Sequence, residues 1–256
     1  MWFDTHCHLF DERFQEDLDA VVARARAAGV RHFVVPGVDV QTSEAAIALA
    51  ERFEGVYAAV GVHPESLADY RPRMLEEIRR LAAHPKVVAI GEIGLDYYWD
   101  VAPREVQREV FVAQLDLARE TGLPVVVHNR DATEDVVRLI ETEAQGVTGV
   151  MHCFTGDLDT AMRCIRCGFF ISYGGPLTFK NAEAVREAAA RIPAEALVVE
   201  TDSPYLSPHP LRGKRNEPER VRIVGERLAE IRGLTAQEMA DLTTRNALRL
   251  FTRVRV

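Results

Sequence analysis

Near the start of the chain, Asp4-Thr5-His6-Cys7-His8 sets two imidazoles two positions apart. Side chains of an extended strand alternate between faces, so positions 4, 6 and 8 share one side. Two imidazoles placed that way can grip one ion from the same direction. Similar chemistry recurs further on. His128 closes the apolar run Val125-Val126-Val127, His152 sits in Val150-Met151-His152-Cys153, and His63 ends Gly61-Val62-His63. Glu92 stands in Ala89-Ile90-Gly91-Glu92-Ile93-Gly94, and Asp202 follows Val198-Val199-Glu200-Thr201. An ionised carboxylate in such apolar surroundings is costly unless it is paired or bound to metal. Taken singly, a strand histidine is more often a satisfied core or surface residue, and such a carboxylate a structural ion pair. The shared position of His6, His8, Glu92, His128, His152 and Asp202 at the ends of their segments outweighs that plainer reading.

Charge points to the kind of substrate. Glu92 and Asp202 bring two negative charges against the four positive charges of two divalent ions. The surplus of two, or of one with a bridging hydroxide, suits an anion such as a phosphate ester. Two ions about 3.5–4 Å apart can clamp a phosphoryl group and stabilise both attacking and leaving oxygens. A mixed imidazole and carboxylate set suits Zn²⁺, Mn²⁺ or Fe²⁺ and is less typical of Mg²⁺, which prefers oxygen. The ligand types leave the choice among these metals open.

Something must bring these residues together. Short β-branched runs, at about 2–9, 31–38, 56–63, 87–94, 123–129, 147–154, 169–174 and 196–202, alternate with helical stretches such as 16–28, 71–83, 104–121 and 131–143. Runs such as Val87-Val88-Ala89-Ile90 are apolar throughout, the pattern of parallel strands covered on both faces. Eight such units predict an α/β fold, a (β/α)₈ TIM barrel, with two more helical stretches at 217–231 and 235–251. An open doubly wound sheet is the alternative, but it calls for a G-x-G-x-x-G turn, which neither Gly91-Glu92-Ile93-Gly94 nor Gly174-Gly175 supplies. In a barrel, all six candidate ligands reach the C-terminal rim, where active sites of this architecture are built.

Composition narrows the rest. The chain has 256 residues, 47% hydrophobic and 27% charged, the mix of an ordinary globular protein. No Pro/Gly/Ser-rich linker divides it, so one hydrolase barrel over 1–256 is expected. Acidic residues exceed basic ones, 39 to 31, for a net charge of −8. Nucleic acid would therefore be held at a local site and not across a basic face. The opening MWFDTHCHL lacks the basic and apolar regions of a signal peptide, and no apolar run approaches the roughly 20 residues of a membrane span. A cytoplasmic protein with reduced thiols and no obligate protein partner is expected. Cys164 and Cys167 form a lone C-x-x-C at a helix end and read as structural. Cys7 and Cys153 should face the core, opposite their histidine neighbours.

Taken together, D-x-H-x-H at 4–8, G-E-I-G-L-D-Y at 91–97, H-x-R at 128–130, H-C-F-T-G at 152–156, E-T-D-S-P-Y-L at 200–206 and R-G-K-R-N-E-P at 212–218 resemble the TatD-type metal-dependent deoxyribonucleases, a branch of the amidohydrolase-like barrels. The likeness spans essentially the whole chain. It implies a hydrolase of DNA phosphodiesters, often a 3′→5′ exonuclease on single strands. It also implies that His6 and His8 hold one ion with Asp202, that Glu92 bridges, and that His128 and His152 hold the second. Barrels of the larger class often bridge their metals with a modified lysine on the fourth strand, where this chain has Glu92.

The chemistry expected is attack on phosphorus by a metal-bridging hydroxide, with Asp202 as general base and Glu92 at the bridge. His63, Arg130, Arg212 and Lys214 are candidate substrate contacts. Arg130 offers a bidentate phosphate grip, and Arg212-Gly213-Lys214-Arg215 is a local cationic loop. Tyr97, Tyr98 and Trp99 could stack unpaired bases or simply pack the rim. Hydrolysis of a small amide, ester or lactone at the same centre is the alternative reading, and there the cations at 130 and 212–215 would be dispensable.

Overall fold

Residues 1–99 and 101–255 are described by the computed structural model of the chain. Its eight strands are β1 (Trp2–Asp4), β2 (Val30–Pro36), β3 (Val56–Val60), β4 (Val87–Asp96), β5 (Val125–Arg130), β6 (Gly149–Met151), β7 (Phe169–Tyr173) and β8 (Leu197–Val199). They lie side by side in chain order, and each pairs in parallel with the next. The helices between them are α1 (Leu18–Ala27), α2 (Val40–Arg52), α3 (Arg73–Ala82), α4 (Arg104–Thr121), α5 (Thr133–Glu143), α6 (Leu158–Arg166) and α7 (Glu183–Arg191). Two more, α8 (Val221–Arg232) and α9 (Ala236–Leu250), follow β8. This is the TIM barrel that the alternating pattern predicts.

Local sequence sets the helix limits. Asp39 and Thr42 form a reciprocal capping box at the start of α2, as do Thr235 and Glu238 at α9. Gly122 ends α4 in a left-handed conformation, φ 67°, which glycine adopts without a Cβ penalty.

Three strands are shorter than their apolar runs. The expected 2–9, 147–154 and 196–202 shrink to Trp2–Asp4, Gly149–Met151 and Leu197–Val199. Beyond them the chain leaves regular pairing and bonds rim to rim. Thr5 N–H donates to Val199 O (3.2 Å), Asp202 N–H to His6 O (2.9 Å) and His8 N–H to Ser203 O (2.7 Å). These bonds bring the first and last strand segments together. The irregular backbone, with positive φ at Cys153 and Asp202, turns side chains into the mouth.

One internal layer explains the floor. Phe3, Tyr57, Val88, Val126, Val150 and Val198 are each the second residue of their strand. Together with Val34 they form one buried cluster with Ala247, Leu250 and Phe251 of the α9 end. α9 thus plugs the N-terminal end of the barrel. Its Asn246 side chain ties the plug to β8 by donating to the carbonyls of Ala194 and Leu197, both at 2.8 Å.

Candidate metal centre

The six residues singled out from the sequence converge at the other end. His128 lies two positions beyond the floor residue Val126 within β5, so alternation keeps it on the interior side, whereas His152 and Asp202 lie past the ends of β6 and β8, where the irregular backbone aims them inward. Glu92 occupies the centre, and its two oxygens face different groups. Oε2 is 3.3 Å from His6 Nε2 and 3.7 Å from His8 Nε2. Oε1 is 3.1 Å from His128 Nδ1, 3.0 Å from His152 Nε2 and 3.3 Å from His63 Nε2. Asp202 Oδ1 closes the first group, 3.6 Å from His6 Nε2 and 3.4 Å from His8 Nε2. All these side chains are buried or nearly so.

Partners outside the cluster fix two of the rings. His128 Nε2 meets Asp96 Oδ2 at 2.9 Å, which leaves Nδ1 to face Glu92. His152 Nδ1 meets Glu200 Oε1 at 3.2 Å, which leaves Nε2 facing inward. Such carboxylate–imidazole pairs orient metal ligands and raise their basicity. His63 differs. Its Nδ1 accepts the Glu65 N–H at 3.1 Å, so the neutral ring carries its proton on Nε2 and is a hydrogen-bond donor into the site. Burial, reinforced by His128, lowers the His63 pKa to about 4 and keeps it neutral.

The donor set fits divalent cations. The Nε2 atoms of His6 and His8 face each other at 3.1 Å and can share at most one proton between them. Burial pushes the Glu92 carboxyl up, yet His152, His63 and His6 outweigh it and hold it well below the usual carboxylate range. Asp202 is likewise lowered, with burial overcome by the His8 hydrogen bond and by His6. His152 moves the other way: burial lowers it, but Glu92 and Glu200 raise it well above the ordinary imidazole value. The two carboxylates thus demand positive charge at this spot, with nitrogen lone pairs around it. Metal-capable groups include His6, His8 and Glu92; His6, His152 and Asp202; and His63, Glu92 and His128.

A cavity of about 800 Å³ opens onto the cluster. Among the expected substrate contacts, His63 and Arg130 line it. The Arg130 guanidinium lies 3.9 Å from the Tyr98 ring centre and 5.5 Å from that of Trp99, both rings half exposed. Arg212 and Lys214 do not line this cavity, against expectation. The loop after β8 folds back, and Arg212 stacks on Phe179 at 4.1 Å, beside a neighbouring hollow. Lys214 stands exposed, and Arg215 is held by Asp17 and Glu217, each at 2.8 Å. Cys153 is a second correction. Its positive φ breaks strand alternation, and it lines the cleft instead of the core. Cys7 is buried as expected, and all four thiols are free.

The sequence reading did not single out Asp96, Glu200 or Asp4. Asp96 shares strand parity with Glu92, and Glu200 with Asp202, so period-two spacing carried the signal. Asp4 is fully buried and accepts from Thr201 N–H (2.8 Å) and Oγ1 (2.6 Å), bracing the segment that leads to Asp202. Gly94 is also needed. Its φ is 139°, and a Cβ there would stand 2.0 Å from the His128 carbonyl oxygen.

A parallel barrel with a buried cluster of imidazoles and carboxylates at its C-terminal mouth has the form of a metal-dependent hydrolase. The sequence pattern of the family described as TatD related DNase matches residues 3–252, and the chain belongs to that family. An uncharacterized metal-dependent hydrolase, YabD of Bacillus subtilis, is 49% identical over 98% of this chain and 99% of its own length. A protein of Enterobacter lignolyticus named 3′-5′ ssDNA/RNA exonuclease TatD is 39% identical over 97% of this chain and 98% of its own. The crystal structure of YjjV, a TatD homolog from Escherichia coli, superposes with a TM-score of 0.92 at 33% identity, covering 98% of each chain.

Proposed function

We propose that this barrel hydrolyses phosphodiester bonds of single-stranded DNA from the 3′ end, with two divalent ions held by the six-residue cluster. The observation that carries the reading is the division of the Glu92 oxygens between two donor groups, one with His6, His8 and Asp202, the other with His128 and His152. A carboxylate shared in that way would hold both ions of a binuclear centre, with His6, His8 and Asp202 around one and His128 and His152 around the other. When bound there, Zn²⁺, Mn²⁺, Fe²⁺ or Mg²⁺ would polarise the phosphoryl group and lower the pKa of the attacking water. The TatD exonuclease name carried by a 39% identical relative supports the choice of substrate.

The chain's own residues then take separable roles. Asp202, the first group's outermost carboxylate, takes the proton of the attacking water. His63 donates from Nε2 to a phosphate oxygen or to the leaving group. Arg130 grips the phosphate, and its stack on Tyr98 and Trp99 places two aromatic faces beside it for an unpaired base. Asp96 and Glu200 act through His128 and His152 and are positioning residues.

The test is hydrolysis of a 5′-labelled single-stranded oligodeoxynucleotide with Mn²⁺ or Mg²⁺, against EDTA, with Glu92→Gln and Asp202→Asn beside wild type. A metal-dependent ladder shortening from the 3′ end, lost in both variants, is the expected result. Metal-loaded protein that cleaves no DNA, while turning over small amides, esters or lactones, would overturn it.

A further inference from the structure

Past Thr155 and Pro176, which line both, the cleft over the metal cluster adjoins a second cavity of about 570 Å³. That volume lies within the roughly 300–1,000 Å³ of small-ligand sites. One wall is the segment 179–182 leading into α7; the other is the loop after β8, at His209 and Arg212. Both walls are braced. Arg186 of α7 donates to the carbonyls of Phe179 (2.6 Å) and Lys180 (3.2 Å). The His209 N–H donates to Thr178 Oγ1 at 2.8 Å. Gly175 lies so close to the loop that a Cβ there would stand 1.8 Å from the Leu206 carbonyl oxygen.

The charged side chains of the two hollows differ. Asp11, Glu65, Glu92 and Asp202 line the metal cleft beside Arg130. The second cavity has Lys180 and Arg212 and, among the described residues, no carboxylate. In a chain of net charge −8 that balance is unusual and favours an anion. The Arg212 guanidinium stacked on Phe179 is a flat cationic surface, of the kind that takes a base or a phosphate edge.

We infer that the second cavity binds the nucleotide next to the one being cleaved, with its phosphate at Arg212 and Lys180 and its unpaired base against the Phe179–Arg212 stack. The inference rests on the nuclease reading above. It explains why Arg212 lies outside the metal cleft yet beside it, with Lys180 across the same hollow. It also gives the enzyme a hold on a chain that a single nucleotide ester cannot use.

The test compares a 5′-labelled 20-nucleotide oligo-dT with the p-nitrophenyl ester of thymidine 5′-monophosphate, using Mn²⁺-loaded wild type, Arg212→Ala and Lys180→Ala/Arg212→Ala. The ratio of kcat/KM for the oligomer to that for the ester should fall about tenfold in the single variant and further in the double, chiefly through the oligomer KM. For single strands each lost phosphate contact should flatten the salt dependence of log KM by about 0.7. A merely structural loop would not change that slope. Equal losses on both substrates, or an unchanged ratio and slope, would overturn the subsite while leaving the nuclease reading intact. Wild type that cleaves the ester but no oligomer, or neither, overturns the nuclease reading and the subsite with it.

Discussion

The two ends of the barrel are built from the same strands and differ by only two to four positions along them. At the floor, the second residues of six strands are Phe3, Tyr57, Val88, Val126, Val150 and Val198, sealed by Leu250 at the end of α9 and by Phe251 just after it. At the mouth, positions just beyond carry His128, His152, Glu200 and Asp202, with Glu92 between them. Apolar burial at the floor stabilises the fold directly. The mouth concentrates buried charge, which costs stability unless it is matched. The floor holds the frame in place so that the mouth can keep groups that would not choose to be neighbours.

Substitutions can break that division of labour, and the largest effect should come at the mouth. Glu92→Gln should lower kcat by about a hundred- to a thousandfold, the scale of losing a preorganised charge-stabilising group. Metal-free Glu92→Gln should also melt below metal-free wild type, since the imidazoles that hold Glu92 ionised, His152 first, lose their partner. Calorimetry beside the activity assay checks both halves. At the floor stability should fall while activity survives. Phe251→Ala should cost about 3–5 kcal/mol of folding free energy through the cavity it leaves. Urea unfolding reads that loss, while kcat of the folded fraction and the metal content stay at wild-type values.

Smaller effects sharpen the contrast within each end. Asp96→Asn leaves every facing donor atom in place but removes the charge that orients the His128 ring and raises its basicity. Titration with Mn²⁺ should show affinity or activity down about 10–100-fold, and Glu200→Gln should do the same through His152. The smallest effect belongs to Tyr57, whose hydroxyl donates to Arg255 O at 3.0 Å beneath the floor. Tyr57→Phe should cost about 0.5–1.5 kcal/mol and leave cleavage unaltered.

The ends also differ in how far the sequence reveals them. The floor and the barrel follow from apolar runs and alternation, which are local properties. The six mouth residues were legible because imidazoles and carboxylates in apolar runs are costly without a purpose. Strand lengths were not. His6, His152 and Asp202 lie past the last paired residue of their strands, where rim hydrogen bonds and positive φ replace the ladder. Cys153 was misplaced for that reason, since alternation holds only while the backbone stays extended. The destinations of Arg212 and Lys214 depend on how the loop after β8 docks on the Gly175–Thr178 turn, a long-range contact that no local pattern encodes.

The most direct measurement is anomalous scattering from crystals soaked in Mn²⁺. Two peaks are expected, one on each side of the Glu92 carboxylate. The first should lie in ligand contact with His6 Nε2 and His8 Nε2, the second with His128 Nδ1 and His152 Nε2. Active, Mn²⁺-soaked protein with no peak in contact with Glu92 would contradict the assignment of this mouth as the metal centre.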